Sequence, residues 1–123
     1  MTRKKILLVD DSNTILMMER MILTKGPYDL LTARDGEEAV DRALHEKPDL
    51  ILMDVVMPRM NGFDACRRIR GEESIKDTPI IMVTTRGEVP NVETGFEAGC
   101  NDYVTKPINT TELLSKLRNF LGE

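Results

Sequence analysis

Hydrophobic and polar positions along the chain alternate between two kinds of pattern. Short, solidly apolar runs are separated by longer stretches in which apolar residues recur every three or four positions. Strands buried on both faces form continuous apolar runs, whereas helices with one buried face show the longer period. The apolar runs therefore predict five strands, at Lys5–Val9, Asp29–Ala33, Leu50–Met53, Ile80–Thr84 and Asp102–Val104.

The amphipathic stretches predict five helices, one after each strand. Asp35 and Glu38 have the spacing of a capping box, which begins a helix. The same spacing recurs at Asn109 and Glu112, before the last amphipathic stretch. Three predicted helices cover about residues 13–25, 62–70 and 90–98. The other two begin at about residues 35 and 110.

Strict alternation of five strands and five helices indicates an α/β fold. Because such units pack with right-handed crossovers, the expected architecture is a doubly wound parallel sheet covered by helices. No repeat, low-complexity segment or linker interrupts the pattern, so we expect one domain over residues 1–123. Ligands in such sheets bind beyond the carboxyl ends of the strands, so the residues that end each strand are the candidates for function.

Composition and charge narrow the possible partners. The net charge of −4 lacks the basic footprint of a nucleic-acid-binding surface, so we expect no direct contact with nucleic acid. No apolar stretch is long enough for a membrane span, and the first apolar run is too short for a signal peptide. The cytoplasm is the expected compartment, and Cys66 and Cys100 are expected to be buried thiols outside any metal site.

Polar residues follow four of the predicted strands. Asp10 and Asp11 end the first strand, and Asp54 ends the third. Thr84 ends the fourth strand, and Lys106 follows the fifth. In the expected fold, these side chains converge at one edge of the sheet.

Three carboxylates at one edge repel one another unless a cation compensates their charge. Carboxylate and carbonyl oxygens suit Mg²⁺, so Asp10 and Asp11 are candidate metal ligands. Lys106 and the hydroxyl of Thr84 would add donors for a tetrahedral oxyanion, an arrangement that favours phosphoryl transfer. Asp54, at the end of a central apolar strand, is the candidate phosphoryl acceptor.

Four motifs carry these residues in order along the chain. They are Leu7-Leu8-Val9-Asp10-Asp11-Ser12, Leu52-Met53-Asp54-Val55-Val56-Met57-Pro58 with Gly62, Ile81-Met82-Val83-Thr84, and Tyr103-Val104-Thr105-Lys106-Pro107-Ile108. In order and spacing they resemble the receiver domain of bacterial response regulators, the phosphoacceptor domain of two-component systems, as in chemotaxis regulators. The resemblance extends from Lys4 to Leu121.

The resemblance implies a flavodoxin-like sheet with the strand order 2-1-3-4-5. It implies that Asp54 accepts a phosphoryl group from a phosphohistidine on a histidine kinase or phosphotransfer protein. It also implies that Mg²⁺ is held by Asp11, Asp54 and the backbone carbonyl of Val56, with Asp10 acting largely through water. Such a domain is a switch and not an enzyme, although it promotes its own phosphotransfer and dephosphorylation.

The resemblance further implies how a signal leaves the site. Thr84 and Lys106 would contact the phosphoryl group, and the peptide bond between Lys106 and Pro107 would be cis. Tyr103 matches the aromatic switch position and would turn inward when Thr84 moves toward the phosphoryl group. The switched face would comprise the fourth helix, the fifth strand and the fifth helix, and would control a downstream output protein or a fused output domain.

The fourth helix contains a residue that is unfavourable in helices. Gly95 lies in its middle, at a cost of about 1 kcal/mol relative to Ala. Two explanations remain open, that this helix is mobile or that Gly95 permits close packing. We expect Val92 and Phe96 to face the core.

The first helix is expected to bury one apolar stripe, formed by Ile15, Met18 and Ile22. Met17 and Met21 fall on the opposite face, with Leu16 at its flank. Exposed methionines suit adaptable partner surfaces, and in receiver domains this helix is where phosphodonors dock. Leu16, Met17 and Met21 are therefore a candidate partner surface, although scattered apolar residues are also normal on protein surfaces.

Two other functions use similar residues. A phosphohydrolase of the haloacid dehalogenase type also uses Asp and Mg²⁺, but it expects Asp-x-Asp where this chain has Asp10-Asp11-Ser12. A flavin-binding flavodoxin module expects a hydroxyl-rich loop there, and the acidic pair would repel the flavin phosphate. The chain ends at Glu123, after the fifth helix, which slightly favours a free-standing regulator over an excised domain.

Overall fold

Five strands and five helices alternate along the chain in a computed structural model that describes residues 3–85 and 92–122. The expected start of the fourth helix at Pro90, and the side chain of Val92, lie outside this description. The elements are β1 Lys4–Val9, α1 Asn13–Leu23, β2 Tyr28–Ala33, α2 Gly36–Glu46, β3 Leu50–Asp54, α3 Gly62–Arg70, β4 Ile80–Thr85, α4 Val92–Ala98, β5 Asp102–Lys106 and α5 Thr110–Leu121.

The strands form one parallel sheet with the order β2-β1-β3-β4-β5. This result confirms the expected five-stranded, flavodoxin-like α/β fold. The chain moves outward in one direction from β1 to β2 and in the other direction from β3 to β5. The reversal places a crevice beyond the carboxyl ends of β1 and β3, where ligands bind in such sheets.

Alternate residues of the central strands face two separate core layers. Leu7 and Met53 belong to a layer that packs against α2, α3 and α4. Leu8 and Leu52 belong to a layer that packs against α1 and α5. Because both faces of β1 and β3 are covered, their buried segments Ile6–Val9 and Leu50–Met53 need apolar side chains at every position, which explains the continuous apolar runs.

Short polar side chains begin four of the helices. Ser12, Asp35, Asn61 and Asn109 each stand at an N-cap and accept a hydrogen bond from the backbone N–H three residues further on. The predicted helix starts at Asp35 and Asn109 are therefore correct. No helix within the described ranges has both the length and the apolar character needed to cross a membrane.

The buried face of α1 differs from the expected one. The buried residues are Leu16, Glu19 and Leu23, whereas Met18 is 42% exposed. The prediction of Leu16 as part of a partner surface is therefore wrong, since its side chain packs in the core. Ile15 and Ile22, expected on the buried face, are half-buried, and Ile22 packs against the core layer. The polar Glu19 interrupts the apolar stripe, so the sequence pattern shifted the buried face by one residue.

The prediction that Phe96 faces the core is also wrong, because this ring is 49% exposed. Among residues 93–98 of α4, whose side chains the structure describes, Gly95 and Ala98 are buried. Two small residues allow the helix to lie close to its neighbours, and this leaves Phe96 at the rim, edge-on to the ring of Tyr103 at a centroid distance of 5.4 Å.

Candidate functional site

The candidate site lies where four parallel strands end. Asp10 follows β1, Asp54 ends β3, Thr84 lies next to the end of β4, and Lys106 ends β5. A tight approach of α3 shapes the β3 side of the crevice: a Cβ atom on Gly62 would overlap the backbone carbonyl of Asp54. The sequence therefore needs glycine where α3 begins, so that the loop after Asp54 can close on itself.

The carboxylates of Asp10, Asp11 and Asp54 form one cluster, with an oxygen of each within 4.8 Å of the others. Asp10 and Asp54 are buried, and Asp11 is exposed. Backbone N–H groups orient the two buried carboxylates, because Ser12 donates to Asp10 Oδ1 at 2.9 Å and Val55 donates to Asp54 Oδ1 at 3.0 Å.

The ammonium group of Lys106 lies between the two buried carboxylates. Its Nζ donates to Asp10 Oδ2 at 3.0 Å and to Asp54 Oδ1 at 3.2 Å. Burial alone would lower the pKa of Lys106, but its hydrogen bonds and charge interactions with Asp10 and Asp54 outweigh burial and raise it. The amine therefore stays protonated and offers a fixed positive charge to any anion that reaches the cluster.

Burial raises the pKa of Asp54 to about 6, and the neighbouring charge of Asp10 adds to this effect, while Lys106 opposes it. One lysine thus does not fully offset the burial of Asp54 and the charge of Asp10. A hard divalent cation would supply the missing positive charge and lower this pKa. The donor set therefore fits Mg²⁺, with Asp10, Asp11 and Asp54 as the side chains that would surround it.

A fourth carboxyl group lies close to this cluster and was not recognised from the sequence. Glu19 on α1 is 1% exposed, and its Oε1 has no hydrogen-bond partner among the described residues. Burial raises the pKa of Glu19 to about 8, with a further increase from the charge of Asp10. The sequence did contain one sign that Glu19 lies on the buried face of α1, because it is three residues from Leu16 and four from Leu23.

Thr84 and Tyr103 occupy neighbouring strands behind the cluster. Thr84 is buried, and its hydroxyl donates to the backbone carbonyl of Thr85 at 3.3 Å. The ring of Tyr103 packs against the core layer of α2, α3 and α4. A Cβ atom on Gly95 would overlap the hydroxyl of Tyr103, so Gly95 provides the space in which this ring lies.

Two further predicted features lie on loops beside the cluster. The peptide bond between Lys106 and Pro107 is cis. Val56 follows Asp54 by two residues, and its side chain is 57% exposed.

On α1, Met17 and Met21 are 61% and 65% exposed, so these two residues of the candidate partner surface are accessible.

Comparisons with known proteins agree with this geometry. A sequence model of the response regulator receiver domain matches residues 6–118. The transcriptional regulatory protein ResD of Bacillus subtilis is 42% identical over 117 residues, which are 95% of this chain and 48% of ResD. The regulatory protein PhoP of the same organism is 39% identical over 118 residues, 96% of this chain and 48% of PhoP. The chain thus spans about half the length of the curated relatives it matches.

Solved structures that match nearly the whole chain have the same fold. The chemotaxis regulator CheY4 of Vibrio cholerae has a TM-score of 0.90 and 37% identity, covering 98% of this chain and 100% of its own. The receiver domain of the sensor histidine kinase PA1611 of Pseudomonas aeruginosa, with magnesium in its active-site cleft, has a TM-score of 0.91 and 33% identity, covering 99% and 100%. Together with the family match, these likenesses show that the chain belongs to the response regulator receiver domain family.

Proposed function

We propose that residues 1–123 form one receiver domain that accepts a phosphoryl group on Asp54 and passes a signal to an output partner. The observation that carries this proposal is the buried carboxylate of Asp54, clustered with Asp10 and Asp11 and hydrogen-bonded to Lys106. The donor is a phosphohistidine on a histidine kinase or phosphotransfer protein. We place the protein in the cytoplasm, where a reducing environment suits the free thiols of Cys66 and Cys100.

The transfer needs a nucleophile and charge stabilisation. A carboxylate oxygen of Asp54 attacks phosphorus, the new O–P bond forms as the N–P bond of the phosphohistidine breaks, and the electron pair returns to the imidazole nitrogen. Lys106, already 3.2 Å from Asp54, stabilises the negative charge on the phosphoryl oxygens. Hydrolysis of the same O–P bond by water would return Asp54 to its unphosphorylated state. The proposal includes this step, so the domain is a switch that also promotes its own dephosphorylation.

The proposed cofactor is Mg²⁺, held by Asp11, Asp54 and the backbone carbonyl of Val56, with Asp10 acting through water. When bound, Mg²⁺ would neutralise the phosphoryl oxygens during transfer. The crowded carboxylates and the raised pKa of Asp54 support this assignment, since a bound cation would relieve the repulsion between the carboxylates and favour the ionised form of Asp54.

The proposed switch connects the site to a surface. A phosphoryl group on Asp54 would draw the hydroxyl of Thr84 away from the carbonyl of Thr85, its present acceptor. Tyr103 lies on the neighbouring strand β5 and already packs inward over Gly95. Its inward position would be stabilised when Thr84 moves, and the face formed by α4, β5 and α5 would then bind the output partner or fused output domain.

The proposed docking surface for the phosphodonor is the exposed face of α1. It includes Met17 and Met21 together with Met18, which the structure also exposes. Methionine side chains adapt to a partner without a fixed shape requirement. With a net charge of −4, the chain is not expected to contact nucleic acid directly.

Labelling with a small phosphodonor tests the proposed function. The protein is incubated with acetyl phosphate and Mg²⁺, and its intact mass is followed over time, beside Asp54→Asn. Asp64→Asn, an exposed aspartate on α3, is the matched control. We expect one phosphoryl group on the wild type and on Asp64→Asn, slow loss after donor removal, and no labelling of Asp54→Asn.

Two outcomes would contradict the proposal. Equal labelling of Asp54→Asn would place the acceptor elsewhere. Repeated release of phosphate from varied phosphoesters, without a lasting labelled form, would instead favour a phosphohydrolase.

A further inference from the structure

The loop between β3 and α3, residues 55–61, is anchored at two points. At its base, the N–H of Gly62 donates to the carbonyl of Val55 at 2.8 Å. At its tip, the N–H of Gly36 at the start of α2 donates to the carbonyl of Met60 at 3.0 Å. Val56, whose carbonyl is the proposed third protein ligand of Mg²⁺, lies between these anchors.

A second contact at the tip joins Arg59 to Asp35. Asp35 is 3% exposed, and its two oxygens have different partners. Oδ1 accepts from the N–H of Glu38 at 2.9 Å and caps α2, whereas Oδ2 accepts from Nε of Arg59 at 2.9 Å and from a second nitrogen of the same guanidinium. A single buried carboxylate therefore begins a helix and holds the loop.

The backbone of Arg59 is unusual. Its φ of +65° lies in the left-handed region, which residues with a Cβ atom rarely adopt. Such conformations persist only where surrounding contacts hold them. Two contacts hold this one: the N–H of Met60 donates to the carbonyl of Pro58 at 2.7 Å across Arg59, and the Asp35 carboxylate binds the Arg59 guanidinium. The carbonyl of Met60, next in the chain, accepts from Gly36.

We propose that Arg59 and Asp35 act as positioning residues for the cation site, by holding the β3–α3 loop that carries the carbonyl of Val56, the proposed ligand beside Asp11 and Asp54. This inference rests on the proposed function, because it assumes that Mg²⁺ binds at the cluster. Neither residue belongs to the carboxylate cluster that would hold the cation. Their role is to keep the loop in its binding geometry before the cation arrives, as outer partners do at many metal sites.

The test compares Mg²⁺ affinity and loop protection in Arg59→Ala, Arg59→Lys and Asp35→Asn. Asparagine still caps a helix, and Arg59 is largely exposed, so the variants are expected to fold. Arg67→Ala is the matched control, because Arg67 makes an exposed ion pair with Asp64 within α3 alone. Affinity is measured by calorimetric titration at fixed ionic strength, and protection of residues 55–61 by amide hydrogen exchange without metal.

We expect the Kd for Mg²⁺ to rise about tenfold in Arg59→Ala and Asp35→Asn, the low end for an outer partner of a metal site. Loop amides should exchange faster in both variants before any metal is added. The Kd and the loop exchange rates of Arg59→Lys should lie between those of these variants and the wild type. Lysine keeps the positive charge but lacks the planar guanidinium that forms two hydrogen bonds with one carboxylate. Arg67→Ala should match the wild type in both measurements.

Wild-type affinity and loop protection in folded Arg59→Ala would overturn the inference, even if Asp35→Asn fails to fold. A combined variant that weakens binding by the product of the two single effects would also overturn it, since the two residues would then act independently. Failure of the wild type itself to bind Mg²⁺ would overturn this inference together with the proposed cofactor, so the two failures are distinguishable.

Discussion

Single residues at the site differ in how their charge is compensated. Asp54 and Asp10 share the ammonium of Lys106, so hydrogen bonds to a cation offset part of the cost of their burial. Glu19 is equally buried, and the described residues offer its Oε1 no hydrogen bond. Burying an unpaired carboxylate is unfavourable, so Glu19 is buried in its protonated, neutral form.

This difference predicts a pH dependence of stability. The folded protein keeps a proton on Glu19 up to a pKa of about 8, whereas the unfolded chain loses it near 4.5. Between these values the folded state binds more protons, so the free energy of unfolding should fall as pH rises. Glu19→Gln does not titrate and should have a smaller slope in urea denaturation between about pH 5 and about pH 9.

Glu19→Leu tests the same point by removing the polar group. Above neutral pH it should raise the free energy of unfolding by about 1–3 kcal/mol, the desolvation penalty of an unsatisfied buried group. Glu97→Gln, an exposed change on α4, is the control and should follow the wild type. All samples contain a chelator, so that metal binding does not contribute. A wild-type slope retained in Glu19→Gln would contradict the assignment.

At the scale of helices and strands, local signals were predictable and tertiary ones were not. The N-caps Asp35 and Asn109 bond to N–H groups three residues away, so their effect is contained in the sequence. The ring of Phe96 contacts Tyr103, which lies on a different element, so local periodicity could not show this contact and placed Phe96 on the wrong side. Of the two explanations for Gly95, the structure favours close packing, and helix mobility stays a prediction.

Gly95→Ala is expected to displace the ring of Tyr103. The added methyl group would overlap the Tyr103 hydroxyl and approach the ring of Phe63 to 3.1 Å. The gain of about 1 kcal/mol in helix propensity should be outweighed by overpacking of about 1–3 kcal/mol. The free energy of unfolding should fall, and NMR signals of the Tyr103 ring should become accessible to a soluble paramagnetic probe.

Gly71→Ala is the matched control, because its methyl group would meet only the carbonyls of Arg68 and Arg67, at 3.5 and 3.7 Å. It should leave the Tyr103 signals unchanged. An unchanged Tyr103 ring in Gly95→Ala would show that Gly95 does not determine where this ring lies.

At the scale of the whole molecule, the sequence predicted the alternating units and the converging strand ends from periodicity alone. The spatial order of the strands came only from the family resemblance, because periodicity does not specify which strands are neighbours. The buried face of α1 was missed for a related reason. Its stripe includes Glu19, whose position near Asp10 follows from the packing of α1 against β1 and not from local pattern.

Because the acidic cluster joins β1 and β3 at the centre of the sheet, a cation bound there should stabilise the entire fold. Mg²⁺ at about 100 times its Kd should raise the free energy of unfolding by about 2.7 kcal/mol. Asp11→Asn should lose this response yet keep near wild-type stability without metal, because Asp11 is exposed and its removal relieves repulsion within the cluster. Thermal unfolding with Mg²⁺, against NaCl at equal ionic strength, measures both effects. An equal gain in Asp11→Asn would mean that Mg²⁺ stabilises the protein from another site.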